Sequence, residues 1–288
     1  MIGEAMGEQR RGLLYAAIAI FFFALSAILI RWAGALSSYE ITFWRLVVAA
    51  VAVGIAIAWR GEVWLVSAGD RGRFLLFGLI TALHFLLYAA ALSFTTIAHA
   101  LAIVYTAPIF VALFSALWLH EPLPRRKWGG IVLAVIGVAI LAGFQPQFTR
   151  KMMVGDLLAL GSAITFGLYS VIGRSQRHHY GLLTYAATLY GAAALWTLAP
   201  AALHFTPQAY TVTTVLCLVA LGLLPLAMGH TLYNAALRLT SATSVNVVAT
   251  QEVTLGILLG VLLLGEVPQA NELVGAAVTL VGVILVIL

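Results

Sequence analysis

Residues 88–141 read YAAALSFTTIAHALAIVYTAPIFVALFSALWLHEPLPRRKWGGIVLAVIGVAIL, and the chain contains this pattern twice. A shift of 145 residues lays the stretch over residues 233–286 without a gap. The matched pairs include Tyr88 with Tyr233, Leu92 with Leu237, Thr95 with Thr240, Glu121 with Glu266, Gly130 with Gly275 and Gly137 with Gly282. Nearer the start of each half, a shift of 143 residues pairs Phe23 with Phe166 and Arg31 with Arg174. The sequence therefore predicts two structural repeats, 12–144 and 154–288, joined by the polar stretch 145–151.

The composition is that of a membrane protein. Of 288 residues, 63% are hydrophobic and 9% are charged, and the mean hydropathy is +1.06. A soluble domain carries about 25% charged residues. The 15 Lys and Arg residues lie in short clusters between apolar runs, which is typical of membrane flanks and not of a nucleic-acid-binding stripe.

A helix needs roughly 20 apolar residues to cross the hydrocarbon core of a bilayer, and the sequence contains ten such runs. They cover 12–32, 40–59, 73–94, 97–119, 128–144, 154–173, 181–203, 211–236, 242–264 and 270–288. Arg10 and Arg11 precede the first run as in a signal peptide, but the run lacks a convincing cleavage site. We therefore expect an uncleaved first helix.

The basic residues predict the orientation, because cytoplasmic loops are enriched in Lys and Arg. With the N-terminus in the cytoplasm, eleven basic residues lie inside and three (Arg31, Arg150 and Lys151) lie outside. Both termini are therefore expected in the cytoplasm. Since each repeat holds five spans, the second copy is inverted relative to the first. The predicted fold is an all-α membrane protein of ten transmembrane helices in two inverted five-helix repeats, with a site near mid-depth.

The pattern of proline, glutamate and glycine positions in the two repeats resembles that of a known family. It consists of Pro108, Leu119-His120-Glu121-Pro122-Leu123, Gly130 and Gly137 in the first half, Glu252, Leu264-Gly265-Glu266, Gly275 and Gly282 in the second, and Arg45 near the start of the second span. This order and spacing resembles the EamA domain of the drug/metabolite transporter superfamily, over nearly the whole chain. Two positions depart from its pattern: Val253 replaces a frequent proline, which puts a kink in the ninth span in doubt, and His120 replaces a glycine.

The resemblance implies a secondary transporter of small metabolites, commonly an exporter, in a bacterial inner (cytoplasmic) membrane. Chain length and aromatic content are most similar, within the family, to aromatic amino-acid exporters of the YddG type. The resemblance implies no cofactor and no enzymatic activity. The expected partners are a small-molecule substrate and the lipid bilayer, without nucleic acid, and ten spans are compatible with a self-contained monomer.

Polar side chains inside a bilayer are expensive, so each one needs a partner or a role. In the third span His84 and Tyr88 are four residues apart and share one helix face. The equivalent eighth span carries His230 and Tyr233. We interpret these faces as the lining of a central cavity, and the alternative is that the same groups only bond neighbouring helices.

Further candidates lie in spans four, six and nine. Tyr105 precedes Pro108, whose missing amide is expected to unwind the helix about one turn earlier. Phe166 and Tyr169 supply aromatic walls, and Asn246 and Gln251 supply polar groups. The complete predicted binding set is His84, Tyr88, Tyr105, His230, Tyr233, Gln251, Asn246, Phe166 and Tyr169.

Two charged residues lie well inside predicted spans. Glu252 is the only acid deep in a span, so a role in proton relay or ammonium recognition competes with a structural hydrogen bond or with pairing to a base such as Arg45. Arg45 is the only comparable base, and it lies close enough to a span end to reach the headgroups instead. Both are predicted as proton or charge sites.

The scarcity of buried cations argues against a phosphorylated substrate. The resulting hypothesis is an exporter of amino acids with aromatic or other apolar side chains, working by alternating access. The alternative is a proton-coupled multidrug exporter of lipophilic cations, with Glu252 as its proton site.

Overall fold

The computed structural model describes the backbone of residues 2–95, 97–143, 149–264 and 269–288. Within these ranges every regular element is helical. The helices are α1 (Ile2–Ala24), α2 (Ser26–Trp32), α3 (Ser38–Trp59), α4 (Arg71–Phe94), α5 (Ile97–Val104), α6 (Ala107–Trp118), α7 (Arg125–Leu141), α8 (Arg150–Ser175), α9 (Leu182–Leu203), α10 (Val212–Leu221), a π-helical segment (Gly222–His230), α11 (Thr231–Leu239), α12 (Ala242–Ala249), α13 (Gln251–Leu264) and α14 (Ala270–Ile287).

Among the residues that the structure describes, eight helical stretches are long and apolar enough to cross a membrane, so the protein is a multi-pass membrane protein. They are Met6–Trp32, Ser38–Trp59, Ala68–Phe94, Ala100–Trp118, Arg150–Ser175, Leu182–Leu203, Val212–Leu239 and Ala270–Ile287. Of the two other predicted runs, the fifth corresponds to the 17-residue α7 and the ninth is divided between α12 and α13. Part of the predicted linker, 145–148, lies outside the described residues. The count of ten spans stays a prediction.

Two predicted spans are interrupted at equivalent positions. α5 ends at Val104, about one turn before Pro108, and α6 begins at Ala107. Proline has no backbone N–H to donate to the preceding turn. α12 ends at Ala249 and α13 begins at Gln251, without a proline. At both breaks a threonine hydroxyl donates to the backbone carbonyl three residues earlier. Thr106 Oγ1 donates to Ile103 O, and Thr250 Oγ1 donates to Val247 O, each at 2.7 Å.

Glycines allow α7 and α14 to pack backbone to backbone. A Cβ atom on Gly137 would lie 2.4 Å from Thr279 N, and one on Gly275 would lie 2.2 Å from Leu141 N. Since residue numbers rise along α7 as those of their partners fall along α14, the two helices run antiparallel. They are the last predicted spans of the two halves.

The core lies between the halves of the chain. α4 packs against α8, and α1 packs against α11. In repeat terms these are the same contact with the roles of the two halves exchanged, because α4 corresponds to the eighth predicted span and α8 to the first. α3 likewise packs against both α9 and the π-helical segment. Side chains from the two halves therefore meet in the centre of the bundle.

Candidate functional site

A small cavity lies where the two halves meet. Its volume is about 40 Å³, which is room for about two or three water molecules. Pockets that hold drug-sized ligands measure about 300–1,000 Å³, so the cavity is too small for such a ligand in this conformation. The lining comprises Phe23, Ser26, Arg45, His84, Phe85, Tyr88, Leu101, Val104, Tyr105, Phe166, Pro225, His230 and Glu252.

Two phenylalanine–histidine pairs, one stacked and one tilted, form the aromatic wall of the cavity. His84 of α4 stacks on Phe166 of α8, with ring centroids 4.7 Å apart and planes 11° apart. His230 of the π-helical segment lies over Phe23 of α1, with centroids 4.4 Å apart. Since Phe23 and Phe166 are equivalent in the repeat, each half places a phenylalanine on the other half's histidine. The two imidazoles face one another with centroids 6.3 Å apart.

The polar atoms of this wall differ in their hydrogen bonding. His84 Nδ1 lies 3.0 Å from Ser162 Oγ and 3.1 Å from Ser162 O. His230 Nδ1 and the Tyr88 hydroxyl are buried and have no partner among the residues that the structure describes. Both residues line the cavity, so their free hydrogen-bonding capacity is available to a guest.

The cavity also holds Arg45 and Glu252, the two predicted charge sites. The interrupted helices meet here, because the Tyr105 hydroxyl at the first break donates to Glu252 Oε2 just beyond the second. Arg45 is only 1% exposed, and its Nε and Nη1 atoms have no hydrogen-bond partner in the described part of the chain. Its guanidinium carbon lies 4.5 Å from the centre of the Phe85 ring. Arg45 therefore points into the cavity and does not reach the end of the bundle.

The other predicted site residues lie outside the lining. Tyr233 and Tyr169 form a layer behind it: the Tyr233 hydroxyl bonds Ser170 Oγ at 2.7 Å and accepts from Asn246 Nδ2 at 3.0 Å, and Tyr169 accepts from Asn234 Nδ2 at 2.7 Å. Gln251 lies elsewhere, in an apolar groove of about 640 Å³ formed with α1 and α14.

The predicted set lacks six lining residues, Ser26, Leu101, Val104, Phe23, Phe85 and Pro225. The first three are small or apolar side chains of kinds found throughout the spans, so nothing marked them. Pro225 carried a signal, since a proline inside a predicted span indicates a local break. It lies within the π-helical segment, and such segments are frequent at functional sites.

A polar cluster closes the end of the bundle where α3 begins. Glu40 is 1% exposed and accepts hydrogen bonds from Ser37 N and Oγ, Thr206 N and Oγ1, and the Tyr210 hydroxyl at 2.8–3.0 Å. Burial and the bond to Glu40 raise the pKa of Tyr210, which keeps the phenol protonated as a donor. The Glu40 cluster thus ties α3 to the connection between α9 and α10.

A second cluster closes the opposite end, where α8 ends. Arg174 contacts both carboxylate oxygens of Glu121 at 3.0–3.2 Å and donates to Leu237 O at 3.0 Å. Arg238 donates to the carbonyls of Arg177 and Tyr180 at 3.1 and 2.6 Å. These Arg174 contacts tie α8 to α11 and to the residues before α7. Contacts between different helices therefore hold both ends of the bundle together.

A cavity with aromatic and charged walls, held between the two halves of a membrane bundle, is the arrangement of a transporter. Comparison with known proteins agrees. The chain belongs to the EamA-like transporter family, whose model matches residues 10–143 and 153–288.

Several relatives cover most of the chain. The pseudopaline exporter CntI of Pseudomonas aeruginosa (strain UCBPP-PA14) is 28% identical over 96% of this chain and 95% of its own. A probable terminal-alkyne amino-acid exporter of Streptantibioticus cattleyicolor is 30% identical over 62% of this chain and 60% of its own. One solved crystal structure superposes with a TM-score of 0.81 at 21% identity, covering 95% of both chains, and therefore shares the fold.

Proposed function

We propose that the protein exports small zwitterionic metabolites, above all amino acids with aromatic or other apolar side chains, through the central cavity. The observation that carries the proposal is the cavity wall itself. It combines two phenylalanine–histidine pairs, suited to an aromatic or apolar side chain, with one buried cation and one buried carboxyl group. Two relatives are named as exporters, and one name specifies an amino acid.

We further propose ten spans in two inverted repeats, in a bacterial inner membrane with both termini in the cytoplasm. The antiparallel packing of α7 and α14 supports the inversion, since equivalent helices of inverted repeats run in opposite directions. The exchanged contacts of α4 with α8 and of α1 with α11 support a two-fold relation between the halves.

Alternating access is supported by the two polar clusters at opposite ends of the bundle. The cavity is too small for an amino acid in this conformation, so a substrate would enter only after the surrounding helices move apart. The Glu40 cluster and the Arg174 contacts lie at opposite ends of α9, whose 22 residues span about 33 Å. Opening one cluster while the other stays closed would expose the cavity to one side of the membrane at a time.

The test is counterflow of labelled tryptophan or phenylalanine in proteoliposomes, with unlabelled amino acids as competitors. Phe23→Ala removes one wall of the cavity, and Phe21→Ala is the matched control because Phe21 lies on the same helix and is 47% exposed. We expect uptake to fall at least tenfold in the first variant and to stay unchanged in the second. Efflux of preloaded label from cells then shows whether the protein exports the amino acid. Absence of amino-acid uptake by folded, inserted wild-type protein would reject the proposal.

A second candidate function is export of lipophilic cations, favoured by a buried carboxyl group among aromatic rings. In that case labelled tetraphenylphosphonium is taken up, and Glu252→Gln abolishes its uptake. Arg45 in the same cavity opposes a bound monocation by repulsion, so the amino-acid proposal is preferred. Cation uptake that survives Glu252→Gln would exclude this version.

A further inference from the structure

We propose that Arg45 is the anchor for a carboxylate group of the substrate. In this assignment one planar edge of the guanidinium, with an unpaired donor at Nε or Nη1, holds the two carboxylate oxygens, and the Glu252 side of the cavity receives the ammonium group. The assignment deepens the proposed function and rests on it for the identity of the substrate. The binding of a carboxylate at Arg45 can be tested separately.

The first argument is the lack of a protein partner. Taking an arginine out of water is penalised by several kcal/mol unless ion pairs or hydrogen bonds compensate it. Arg45 is 1% exposed, and the described residues provide no hydrogen bond to Nε or Nη1. The Phe85 ring beneath the guanidinium and the attraction of Glu252 in the same cavity compensate this penalty only in part, because neither gives Nε or Nη1 a hydrogen bond. An ionisable residue held this way inside a membrane protein is a functional-site candidate by default.

The second argument is the set of groups that face Arg45 across the cavity. They are Ser26 of α2, Tyr88 and His84 of α4, Tyr105 of α5–α6, His230 of the π-helical segment and Glu252 of α13. Among them the Tyr88 hydroxyl is buried without a partner, like the guanidinium. An acceptor-only group such as a carboxylate suits a site whose unpaired atoms include the donors of Arg45 and Tyr88. The planar guanidinium edge also matches the two oxygens of a carboxylate.

The third argument concerns the charge of the whole substrate. One arginine and one glutamate line the same small cavity, and Glu252 is already engaged by the Tyr105 hydroxyl. A dianion such as a phosphate ester would be repelled by the carboxylate of Glu252, and a simple amine would be repelled by the guanidinium of Arg45. A molecule carrying a carboxylate and an ammonium group satisfies both, which restricts the substrate to amino-acid-like zwitterions.

The experiment uses tryptophan and two analogues, tryptamine without the carboxylate and indole-3-propionate without the amine. Competition in counterflow and ligand-induced thermal stabilisation are measured on the full-length protein. A thiol-reactive dye reports unfolding, because Cys217 is the only cysteine and is buried. The variants are Arg45→Gln and Arg45→Lys, with Arg31→Gln at the exposed end of α2 as the matched control.

For wild type we expect tryptophan to bind best and tryptamine least. Arg45→Gln should lower the affinity for tryptophan and indole-3-propionate by about 30-fold or more and leave that for tryptamine within about threefold, so that the preference for a carboxylate disappears. Arg31→Gln should behave as wild type. If Arg45→Gln does not fold, Arg45→Lys is used to test the carboxylate anchor, because lysine keeps the positive charge and lacks the planar guanidinium edge. An unchanged carboxylate affinity in folded Arg45→Lys would then overturn the assignment.

The outcomes separate this inference from the proposed function. If wild type transports tryptophan and Arg45→Gln keeps the preference for tryptophan over tryptamine, the anchor is wrong and the function stands. If no amino acid is transported but indole-3-propionate stabilises wild type and not Arg45→Gln, the proposed function fails and the carboxylate site stands. If neither carboxylate binds wild type in either assay, the assignment of Arg45 is overturned.

Discussion

A single methyl group on Gly137 should separate α7 from α14. Its Cβ would lie 2.4 Å from Thr279 N, 2.4 Å from Thr279 Oγ1 and 2.8 Å from Thr279 Cα. An ordinary contact begins at 3.4 Å, so the opposing backbone must retreat by about 1 Å. Backbone cannot rotate away as the tip of a flexible side chain can. The methyl group also displaces the Thr279 hydroxyl from its 2.8 Å bond to Gly275 O.

These terms give the expected magnitude for Gly137→Ala. Overpacking lowers the free energy of unfolding by about 1–3 kcal/mol, and loss of the buried hydroxyl bond lowers it by about 1 kcal/mol. Replacing a helical glycine raises it by about 0.5–1 kcal/mol. The expected net destabilisation is about 1–3 kcal/mol. Gly129→Ala is the matched control on the same helix, because nothing lies within 4 Å of its added Cβ, and it should be stabilising by about 0.5–1 kcal/mol.

The assay is thermal unfolding in detergent, followed by dye labelling of the buried Cys217 on α10, which is remote from the mutated helix pair. Gly137→Ala should lower the midpoint and Gly129→Ala should leave it unchanged or raise it. Because neither α7 nor α14 lines the central cavity, the KM of the surviving folded protein should not change. Equal midpoints for the two variants would refute the close backbone approach of α7 and α14 and the reasoning built on it.

Three further changes test the clusters around the site. Glu40→Gln places an amide NH₂ against a backbone donor, Ser37 N or Thr206 N, and should lower the free energy of unfolding by about 1–3 kcal/mol; an unchanged Cys217 labelling midpoint would contradict this. Arg174→Lys keeps the charge but cannot reach Glu121 and the Leu237 carbonyl together, so we expect a loss of about 1–2 kcal/mol in the same assay, and a wild-type midpoint would count against the second closure. Tyr105→Phe removes the donor to Glu252 and should weaken tryptophan competition in counterflow about tenfold, whereas wild-type competition would show that this contact does not shape the site.

The interruptions of the helices show how far the sequence predicts local structure. The break before Pro108 follows from a missing amide, which is a property of one residue. The break at Thr250 has no such marker, and Val253 in place of the family's proline argued against it. At this break the Thr250 hydroxyl donates to the Val247 carbonyl, but Thr165 and Thr197 make the same kind of bond inside uninterrupted helices. The presence of a threonine inside an apolar run therefore does not predict a break in the helix.

The candidate site shows the same division. Spacing along a single helix predicts that His84 and Tyr88 share one face, and both residues line the cavity. Gln251 and Glu252 are adjacent in sequence, but neighbouring residues on a helix point about 100° apart. Glu252 therefore faces the cavity while Gln251 faces the outer groove. Which of the two points inward depends on how α13 restarts after its break, and the sequence pattern contains no information on that rotation.

The sequence by itself determined the membrane class, the helical architecture and the repeat, because hydropathy and the spacing of glycines act locally along the chain. It also named the two charges, since a charged residue within an apolar run is visible without any structure. Only the tertiary structure decided that Arg45 is without a hydrogen-bond partner at Nε and Nη1 among the described residues while Tyr105 engages Glu252. Pairing depends on where side chains from different helices meet in three dimensions, and that is set by the packing of the two halves against each other.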